Sequence, residues 1–319
     1  MLFASLPAEV RNRLLSRAAG AVVVLPEGDD PRVQQAALLL QQEAQVQCRL
    51  LTPHSVGESE AQLTASVLNA SAARRGKAAS EELLACKTDP FFVAGALLER
   101  GLVDAAVGGA VATTAHVLRA VLNTVGVQSQ FPLITSCFLF QLCEPTAGGE
   151  QLVLYADAGV VPQPTESQIP HIAALAAAAF QRWTGREPRV GFLSFSTHGS
   201  AQHPDVAKMR TAAASFAAAH PEILSEGELQ FDAAVVPDVA LRKNPATRLA
   251  GRTNVFVFPD LDAANISYKI TQRLAGAQAW GPLLLGCGKP FSDLSRGATA
   301  EDIAHIAILT LALRNTASP

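Results

Sequence analysis

Nine short apolar runs constrain the fold of this chain more than any other feature of its sequence. The runs AVVVL at residues 21–25 and LVLYA at residues 152–156 are continuous rather than alternating. Continuous runs are typical of strands that are buried on both faces of a sheet. We therefore predict strands in AVVVLPEG, CRLLTP, VDAAVGGAV, PLITSCFLFQL, EQLVLYADAG, RVGFLSFS, DAAVVPDVAL, NVFVFPD and GPLLLGC.

Segments with helical spacing separate most of these runs. Strands that alternate with helices predict the α/β class, in which helices cover both faces of mainly parallel sheets. The stretch from His54 to Glu82 is different, because its weak periodicity and many small residues predict an irregular excursion. Helices are predicted over residues 32–43, 90–100, 114–125, 165–184, 204–219 and 264–279.

Two breaks in this pattern predict the domain organisation. The segment GVQSQFP interrupts it near residues 127–131, and GPLLLGCGKP leads into the last helix near residues 281–290. We therefore predict two α/β/α lobes, one formed by 1–129 with 284–319 and the other by 130–283. A chain that enters a second sheet and returns leaves an interdomain cleft, and ligands of α/β proteins favour such clefts.

Composition limits the partners and the cellular location. Hydrophobic residues make up 49% of the 319 residues and charged residues 17%, which predicts extensive burial and an oligomer. The net charge of -3 gives no general attraction for nucleic acid or an anionic membrane. Residues 1–20 predict an amphipathic helix rather than a signal peptide. The five cysteines lack a Cys-x-x-Cys pair, which predicts reduced cytoplasmic thiols rather than disulfides or a zinc site.

The loop GGAVATTAHVLRA, residues 108–120, is the first candidate for ligand binding. Its small residues allow close approach of the backbone, and Thr113 and Thr114 stand at a helix start ahead of Arg119. Amide groups, hydroxyls and a guanidinium in this order suit an anion. The alternative is an N-capped helix whose Arg119 faces solvent.

The loop SFSTHGSAQHPDVAKMR, residues 194–210, is the second candidate. Ser196, Thr197 and Ser200 can surround a phosphate, although the loop lacks the lysine and the spacing of a P-loop. A polar turn is the alternative. His198 and His203 have no carboxylate or cysteine at a spacing that indicates a metal site.

Two pairs of acids between residues 228 and 276 are candidates for Mg²⁺ binding. Asp232 and Asp238 flank a predicted strand, and Asp260 and Asp262 precede a predicted helix. Acids in these positions also serve as caps and turn formers, and we expect no metal at either pair.

The segment GKPFSDLSRGATAEDI near the C-terminus collects polar residues at a helix entrance. Ser295 and Arg296 lie in a turn, and Glu301 and Asp302 lie in the first turn of the following helix. Thr299 as N-cap with Asp302 three residues later has the pattern of a capping box.

Several of these segments together resemble one enzyme family. LPEGDDPRVQQAA, VDAAVGGAVATTAHVLRA, SFSTHGSA, ELQFDAA, NVFVFPDL and KPFSDLSRG follow one another as in the phosphate acetyltransferases, the phosphotransacetylase family. The resemblance spans nearly the whole chain and is weakest at residues 45–85. It implies the two-lobed architecture of the isocitrate and isopropylmalate dehydrogenases, and a homodimer.

The resemblance implies a reversible reaction in which acetyl-CoA and phosphate give acetyl phosphate and CoA. It implies direct attack within a ternary complex, no metal, and no tightly bound cofactor, with CoA and acetyl-CoA as substrates. Ser295 is then expected to hydrogen-bond the CoA thiol, Arg296 to stabilise developing charge, and Asp302 to act as general base. Proton transfer from a free thiol to a free aspartate is uphill by about 6 kcal/mol. We therefore expect cleft closure to exclude water during the reaction.

The resemblance also implies binding residues, with some departures. Arg119 falls where the family has a ligand-binding arginine, and ARRGKA makes Arg74 or Arg75 the candidate for a second one. The family loop G-A-V-H-T-T-A-D reads GAVATTAH here, so that Ala112 replaces a histidine and His116 replaces an acid. These changes bear on substrate preference.

Three other functions stay open from the sequence. The first is a non-catalytic acetyl-CoA-binding regulatory module, similar to the tail domain of some malic enzymes. The second is a phosphate acyltransferase that prefers propionyl or butyryl groups. The third is a metal-dependent oxidoreductase, which needs Mg²⁺ carboxylates and a nicotinamide site that the sequence does not supply as a full set.

Overall fold

The structure, a computed structural model, describes residues 1–314 and divides the chain into two compact units. The first unit contains Met1–Pro132 and Pro282–Pro319, the second Leu133–Gly281. Both contain a sheet with helices packed on it, and the predicted α/β class with mainly parallel sheets is confirmed. No helix among the described residues is both long and apolar enough to cross a membrane.

The first unit has a four-stranded sheet in which every neighbouring pair is parallel. The strand order is β10-β3-β1-β2, with β1 and β3 at the centre. Their small and β-branched side chains are almost completely buried, because helices cover the sheet. The strands are β1 Val22–Leu25, β2 Gln47–Leu50, β3 Ala105–Gly108 and β10 Phe291–Asp293; the helices are α1 Ala8–Ala18, α2 Pro31–Ala44, α3 Glu58–Arg74, α4 Glu81–Ala85, α5 Pro90–Glu99, α6 Thr114–Asn123 and α12 Ala300–Ala312, with a 3₁₀ helix at Cys86–Thr88.

The second unit has a six-stranded sheet of order β7-β6-β8-β5-β4-β9. The pairs β6–β7, β6–β8 and β5–β8 are parallel, and β4–β5 is antiparallel. Its core is rich in aromatic rings, including Phe140, Tyr155 and Phe256. The strands are β4 Thr135–Gln141, β5 Leu152–Ala156, β6 Arg189–Leu193, β7 Leu224–Leu229, β8 Val255–Val257 and β9 Gln278–Leu285; the helices are α7 Ile169–Thr184, α8 Pro204–Ala219, α9 Phe231–Val235, α10 Pro237–Lys243 and α11 Leu261–Arg273.

The predicted strand in DAAVVPDVAL is wrong, because this segment forms α9 and α10. Pro237 occupies the first turn of α10, where its missing N–H costs nothing, and the alanines favour helix. The strand at this point of the chain is β7, whose sequence LSEGEL was not predicted. It contains Glu226 and Glu228, and these buried acids hide the apolar signal of a strand.

The predicted irregular excursion from His54 to Glu82 is also wrong over most of its length. Residues 58–74 form α3, and Glu60 supplies a side-chain bond to the backbone N–H of Gly57 at its start. The buried face of α3 includes Ala61, Thr64 and Ala72 as well as Val67. Small and hydroxyl side chains on a buried face give a weak hydrophobic period, which explains the missed helix.

Candidate functional site

The turn between β10 and α12 carries two of the predicted catalytic residues. Ser295 and Arg296 are both exposed, directly after the buried end of β10. The N–H of Gly297 donates to Ser295 Oγ at 3.3 Å, and the N–H of Ala298 donates to the Ser295 carbonyl at 2.9 Å. The turn is therefore closed by its own hydrogen bonds, while both side chains face solvent.

Asp302 lies in the first turn of α12, and the predicted capping box is confirmed. Its Oδ2 accepts from the Thr299 N–H at 2.9 Å and from the Thr299 hydroxyl at 2.8 Å. The Asp302 N–H donates in return to Thr299 Oγ1 at 3.1 Å. These bonds orient the carboxylate at the helix start, seven residues after Ser295.

Arg32 connects this turn to two other loops. Its guanidinium donates to the carbonyls of Arg296 and Ala298 at 2.9 and 3.0 Å. It also donates to the carbonyl of Ala110 at 3.0 Å and pairs with Asp30 at 2.7 Å. The β1–α2, β3–α6 and β10–α12 loops thus meet at one arginine, at the carboxyl ends of three neighbouring parallel strands.

The carboxylate of Glu27, which follows β1, also binds the β3–α6 loop. Its Oε2 accepts from the N–H groups of Gly109 and Ala110, both at 2.8 Å. Its Oε1 accepts from Val111 and Ala112, also at 2.8 Å. Four successive amide groups form a concavity that suits an anion, and in this structure the anion is a carboxylate of the protein itself.

Asp293 is a buried carboxyl at the end of β10. The Thr114 hydroxyl donates to its Oδ2 at 2.6 Å, whereas its Oδ1 has no hydrogen-bond partner. Gly109 lies against this carboxyl with a φ of +117°, and a side chain at that position would collide with it. Burial, with a smaller contribution from the nearby Glu27 charge, raises the pKa of Asp293 to about 6.

We expect Asp293→Asn to stabilise the protein at neutral pH. The native state binds a proton more tightly at Asp293 than the unfolded state, whose carboxyl has a pKa near 3.8. The stability from this group is therefore complete below pH 3.8 and is lost as the pH rises through 6, by about 3 kcal/mol. Asparagine has no charge to bury and keeps an oxygen for Thr114.

Denaturant unfolding of both proteins between pH 4 and pH 8 measures this effect. The free energy of unfolding of Asp293→Asn relative to the unsubstituted protein should rise with pH and level off above pH 7. A difference that does not change with pH would contradict the assignment.

The predicted anion-binding residues of α6 are engaged within the protein or exposed. Thr113 caps the helix, accepting from the His116 N–H at 3.3 Å, while Thr114 bonds Asp293. Arg119 is exposed, and its guanidinium carbon lies 5.9 Å from the centroid of the Phe92 ring. Helix α6 is therefore N-capped by Thr113, and the Arg119 side chain is exposed.

Arg74 and Arg75 both contact the C-terminal end of α6. Arg74 donates to the Thr124 carbonyl at 3.2 Å and pairs with Glu99 at 3.3 Å. Arg75 donates to the Leu122 carbonyl at 3.1 Å and to Asn123 Oδ1 at 2.8 Å. Cations are favourable at a helix C-terminus, so the two arginines dock on the helix that carries Arg119.

The two departures in the β3–α6 loop have separate structural settings. Ala112 contributes its backbone N–H to Glu27, a contact that does not depend on the side chain. His116 Nε2 lies 3.2 Å from Asp89, which caps α5, and its ring packs edge-on against Phe91. The histidine therefore has an acidic partner inside the first unit.

In the second unit, Glu228 organises the predicted phosphate-binding loop. Ser196 is fully buried and donates to Glu228 Oε1 at 3.0 Å, and the Gly199 N–H donates to the same oxygen at 2.8 Å. Burial alone would raise the pKa of Glu228, but the paired Arg210 guanidinium and these donors lower it to about 2. Ser200 shares a hydrogen bond with Ser196 at 3.2 Å.

Thr197, His198 and His203 also have partners within the second unit. Thr197 Oγ1 accepts from the Gln230 N–H at 2.9 Å. His198 Nε2 lies 2.7 Å from Glu226, and His203 caps α8 through Nδ1. The hydroxyls predicted to surround a phosphate, and the two histidines of the loop, thus bond to other groups of the second unit in this structure.

Two of the four acids considered for Mg²⁺ have partners within the second unit. Asp232 pairs with Lys243 at 2.9 Å, and Asp260 caps α11 by accepting from the Ala263 N–H at 2.8 Å. Within residues 1–314, no group of three or more His, Cys, Asp or Glu side chains is arranged to hold a metal ion.

His305 lies one turn after Asp302 on α12 and is buried. Its Nε2 accepts from the Phe3 N–H at 3.0 Å, and the two rings are 4.4 Å apart. Burial lowers the pKa of His305 from the usual 6.5 to about 4. The buried face of α12, the helix that carries Asp302, therefore holds a neutral imidazole against Phe3.

We expect His305 to make the protein less stable in acid. The unfolded chain protonates this residue near pH 6.5 and the native protein only near pH 4. Stability is therefore complete above pH 6.5 and falls by about 3 kcal/mol as the pH drops to 4. In His305→Gln, whose side-chain oxygen can accept from Phe3, this pH dependence should disappear, as measured by denaturant unfolding; an unchanged dependence would exclude His305 as its source.

Three residues of this site, Glu27, Arg32 and Asp293, were not predicted. Glu27 and Asp293 stand at or just after a strand end, and Arg32 lies in the first turn of α2, all within the motifs LPEGDDPR and FSDLSRG. A charged residue soon after a continuous apolar run was the available signal for Glu27. The sequence does not reveal their partners, because the bonds between these loops join residues 78 or more positions apart.

Comparisons with known proteins agree on one family. The family model described as phosphate acetyl/butaryl transferase matches residues 8–311. A phosphate acetyltransferase of Paracoccus denitrificans is 40% identical over 298 residues, covering 90% of this chain and 93% of that protein. One of Escherichia coli is 37% identical over 318 residues, and this chain spans only 43% of its length. A solved phosphotransacetylase from Streptococcus pyogenes has a TM-score of 0.86 at 31% identity, with 98% of each chain covered.

Proposed function

The chain belongs to the phosphate acetyl/butaryl transferase family and is an acyltransferase, and we propose the residues and the route by which it works. It transfers an acetyl group reversibly between coenzyme A and inorganic phosphate. The proposed route is direct attack of one substrate on the other, without an acyl-enzyme. No metal and no tightly bound cofactor take part in it.

One observation carries the assignment of residues. Ser295 and Arg296 are exposed in the turn before α12, and Asp302 lies in the first turn of that helix, with its carboxylate oriented by the capping box. A hydroxyl, a guanidinium and a carboxylate supply hydrogen bonding, positive charge and a proton acceptor, which are the groups that acyl transfer requires.

In the direction of acetyl-CoA formation, the CoA thiol hydrogen-bonds Ser295 and gives its proton to Asp302. The sulfur electron pair then attacks the acetyl carbonyl carbon, and the carbonyl π electrons move to oxygen. Arg296 stabilises this oxyanion. When the carbonyl re-forms, the bond between the carbonyl carbon and the bridging oxygen breaks. Phosphate leaves with that electron pair and takes up the proton from Asp302, which returns to its carboxylate form. Because a free thiol is a much weaker acid than a free carboxylic acid, the positive charge of Arg296 is needed near the sulfur.

The remaining predicted residues are proposed to bind the charged parts of the substrates. Arg119, Arg74 and Arg75 gather around α6, where they suit the phosphates of CoA. Thr113 and Thr114 at the start of α6, with Ser196, Thr197 and Ser200 in the second unit, line the predicted binding loops. The two units are proposed to be two domains.

We propose a homodimer in the cytoplasm. Ile266, Ile270 and Leu274 follow one another at four-residue spacing on and just after α11, with 59%, 50% and 84% of their surfaces exposed. Such a stripe favours burial against a second subunit. The cysteines are unpaired, as expected for a reducing compartment.

The function is tested by mixing purified protein with acetyl phosphate and CoA and following thioester formation, with a chelator and no nicotinamide cofactor present. Acetyl-CoA should form, and initial rates at several substrate concentrations should give intersecting rather than parallel lines. Exchange of labelled phosphate into acetyl phosphate without CoA would contradict direct attack. Absence of acetyl-CoA would overturn the activity, and acetyl, propionyl and butyryl phosphates compared side by side would identify the preferred acyl group.

A further inference from the structure

We propose that Arg32 is a positioning residue for the transfer reaction, which acts by fixing the backbone of the turn that carries Ser295 and Arg296. This inference rests on the proposed function of that turn. Arg32 itself belongs to the β1–α2 segment, which has no assigned part in the chemistry.

All five N–H donors of the Arg32 guanidinium have acceptors. Nε donates to Asp30 Oδ1 at 3.1 Å and one Nη2 donor to Asp30 Oδ2 at 2.7 Å. The other Nη2 donor reaches the Ala110 carbonyl at 3.0 Å. Both Nη1 donors reach the turn, at the carbonyls of Arg296 and Ala298. Because the guanidinium is planar and all five of its donors are bonded, its orientation is fixed. Its two Nη1 bonds therefore fix the position of the turn backbone.

The two carbonyls that Arg32 holds lie next to the proposed catalytic groups. Arg296 is the residue that is proposed to meet the oxyanion, and Ala298 directly precedes Thr299, the cap that orients Asp302. Holding these two carbonyls therefore constrains the peptide group before Gly297 and the peptide group after Ala298. A glycine in an exposed turn has wide conformational freedom, and external bonds limit it.

The contacts of Arg32 with the turn are partly exposed to solvent. The Arg32 side chain is 34% exposed and its acceptor residue Arg296 is exposed, whereas Ala298 is buried. Ion pairs near the surface add little to stability, and water can replace the lost donor to the exposed Arg296 carbonyl. Loss of Arg32 is therefore expected to loosen the turn without unfolding the chain.

The contacts of Glu27, which lies between β1 and α2, agree with a positioning role for this segment. Its carboxylate fixes residues 109–112 through four amide groups, while Arg32 takes the Ala110 carbonyl from the same loop. The β1–α2 segment thus binds one loop through both a carboxylate and a guanidinium. The Ser295–Ala298 turn is held to that loop through Arg32.

The test compares Arg32→Met and Arg32→Lys with Arg49→Met in the full chain. Arg49 is a matched control, since it is 38% exposed, lies in the same unit, and pairs with Glu60 at 2.8 Å. We expect Arg32→Met to lower kcat about 30-fold while KM for CoA and acetyl phosphate changes less than about threefold, because misplacement by about 1 Å has effects of this order. Arg32→Lys should recover little, since lysine cannot form the fork. Arg49→Met should retain normal rates.

A double-mutant cycle with Arg296→Gln supplies a readout that a purely structural role would not move. If Arg32 acts through Arg296, the double variant should be no slower than Arg296→Gln alone by more than about threefold. Multiplicative effects, a change confined to KM, or an equal loss in Arg49→Met would overturn the proposal. So would failure of both Arg32 variants to fold where Arg49→Met folds. An inactive unsubstituted protein would instead overturn the proposed function, and this inference with it.

Discussion

Asp302→Asn is expected to lower kcat by roughly a thousandfold while the protein folds normally. A positioned general base contributes about 10²- to 10⁴-fold, and asparagine cannot accept the thiol proton. The fold should survive because the amide oxygen of asparagine can still accept from the Thr299 N–H and hydroxyl, as Oδ2 does now.

The measurement is the steady-state rate of acetyl-CoA formation, together with the thermal unfolding midpoint of each variant. Glu301→Gln is the matched control, because Glu301 is exposed and lies beside Asp302 in the same helical turn. Its rate should stay within about twofold of normal. If Asp302→Asn turns over normally, or if Glu301→Gln is equally slow, Asp302 is not the base.

Arg296→Gln is expected to lower kcat by about 10²- to 10³-fold, the range found when a donor to a developing oxyanion is removed. Glutamine keeps a polar side chain but brings no charge to the sulfur or the oxyanion. The kcat of Arg296→Lys should lie between that of Arg296→Gln and that of the unsubstituted protein, since lysine restores the charge without the planar pair of donors. Stability should change little, because the Arg296 side chain is exposed and its backbone makes the contact with Arg32.

Arg100→Gln controls for the loss of an exposed arginine from the same unit. Arg100 donates to Ser66 at 3.1 Å, away from the α12 entrance in sequence and in contacts. Single-turnover rates should separate Arg296→Gln from this control, since only the chemical step depends on the oxyanion. Equal single-turnover rates in the two variants would remove Arg296 from the mechanism.

The α/β class was predictable because burial on both faces produces continuous apolar strands, which a single sequence displays directly. The capping box at Thr299 and Asp302 was predictable for a similar reason, since its partners are three residues apart. DAAVVPDVAL shows where local reasoning stops. It has the composition of a strand, yet it forms two short helices because Pro237 and its alanines favour a helical start.

The loops near α6 and β7 show a second limit. Thr114, Ser196 and Thr197 were predicted as ligand-binding hydroxyls, and their roles toward substrates stay predictions. The structure adds that Thr114 bonds Asp293 and that Ser196 bonds Glu228. Neither carboxylate was predicted as a partner, because each comes from a strand end distant in sequence.

The amino-acid sequence by itself determined the alternation of strands and helices, the family motifs and the capped entrance of α12, because each depends on residues within a few positions of one another. Only the tertiary structure decided that Glu27 fills the amide concavity of residues 109–112, and that Arg32 joins three loops. These contacts require parallel strands to bring their carboxyl ends together, and strand order is a property of the sheet rather than of any one segment.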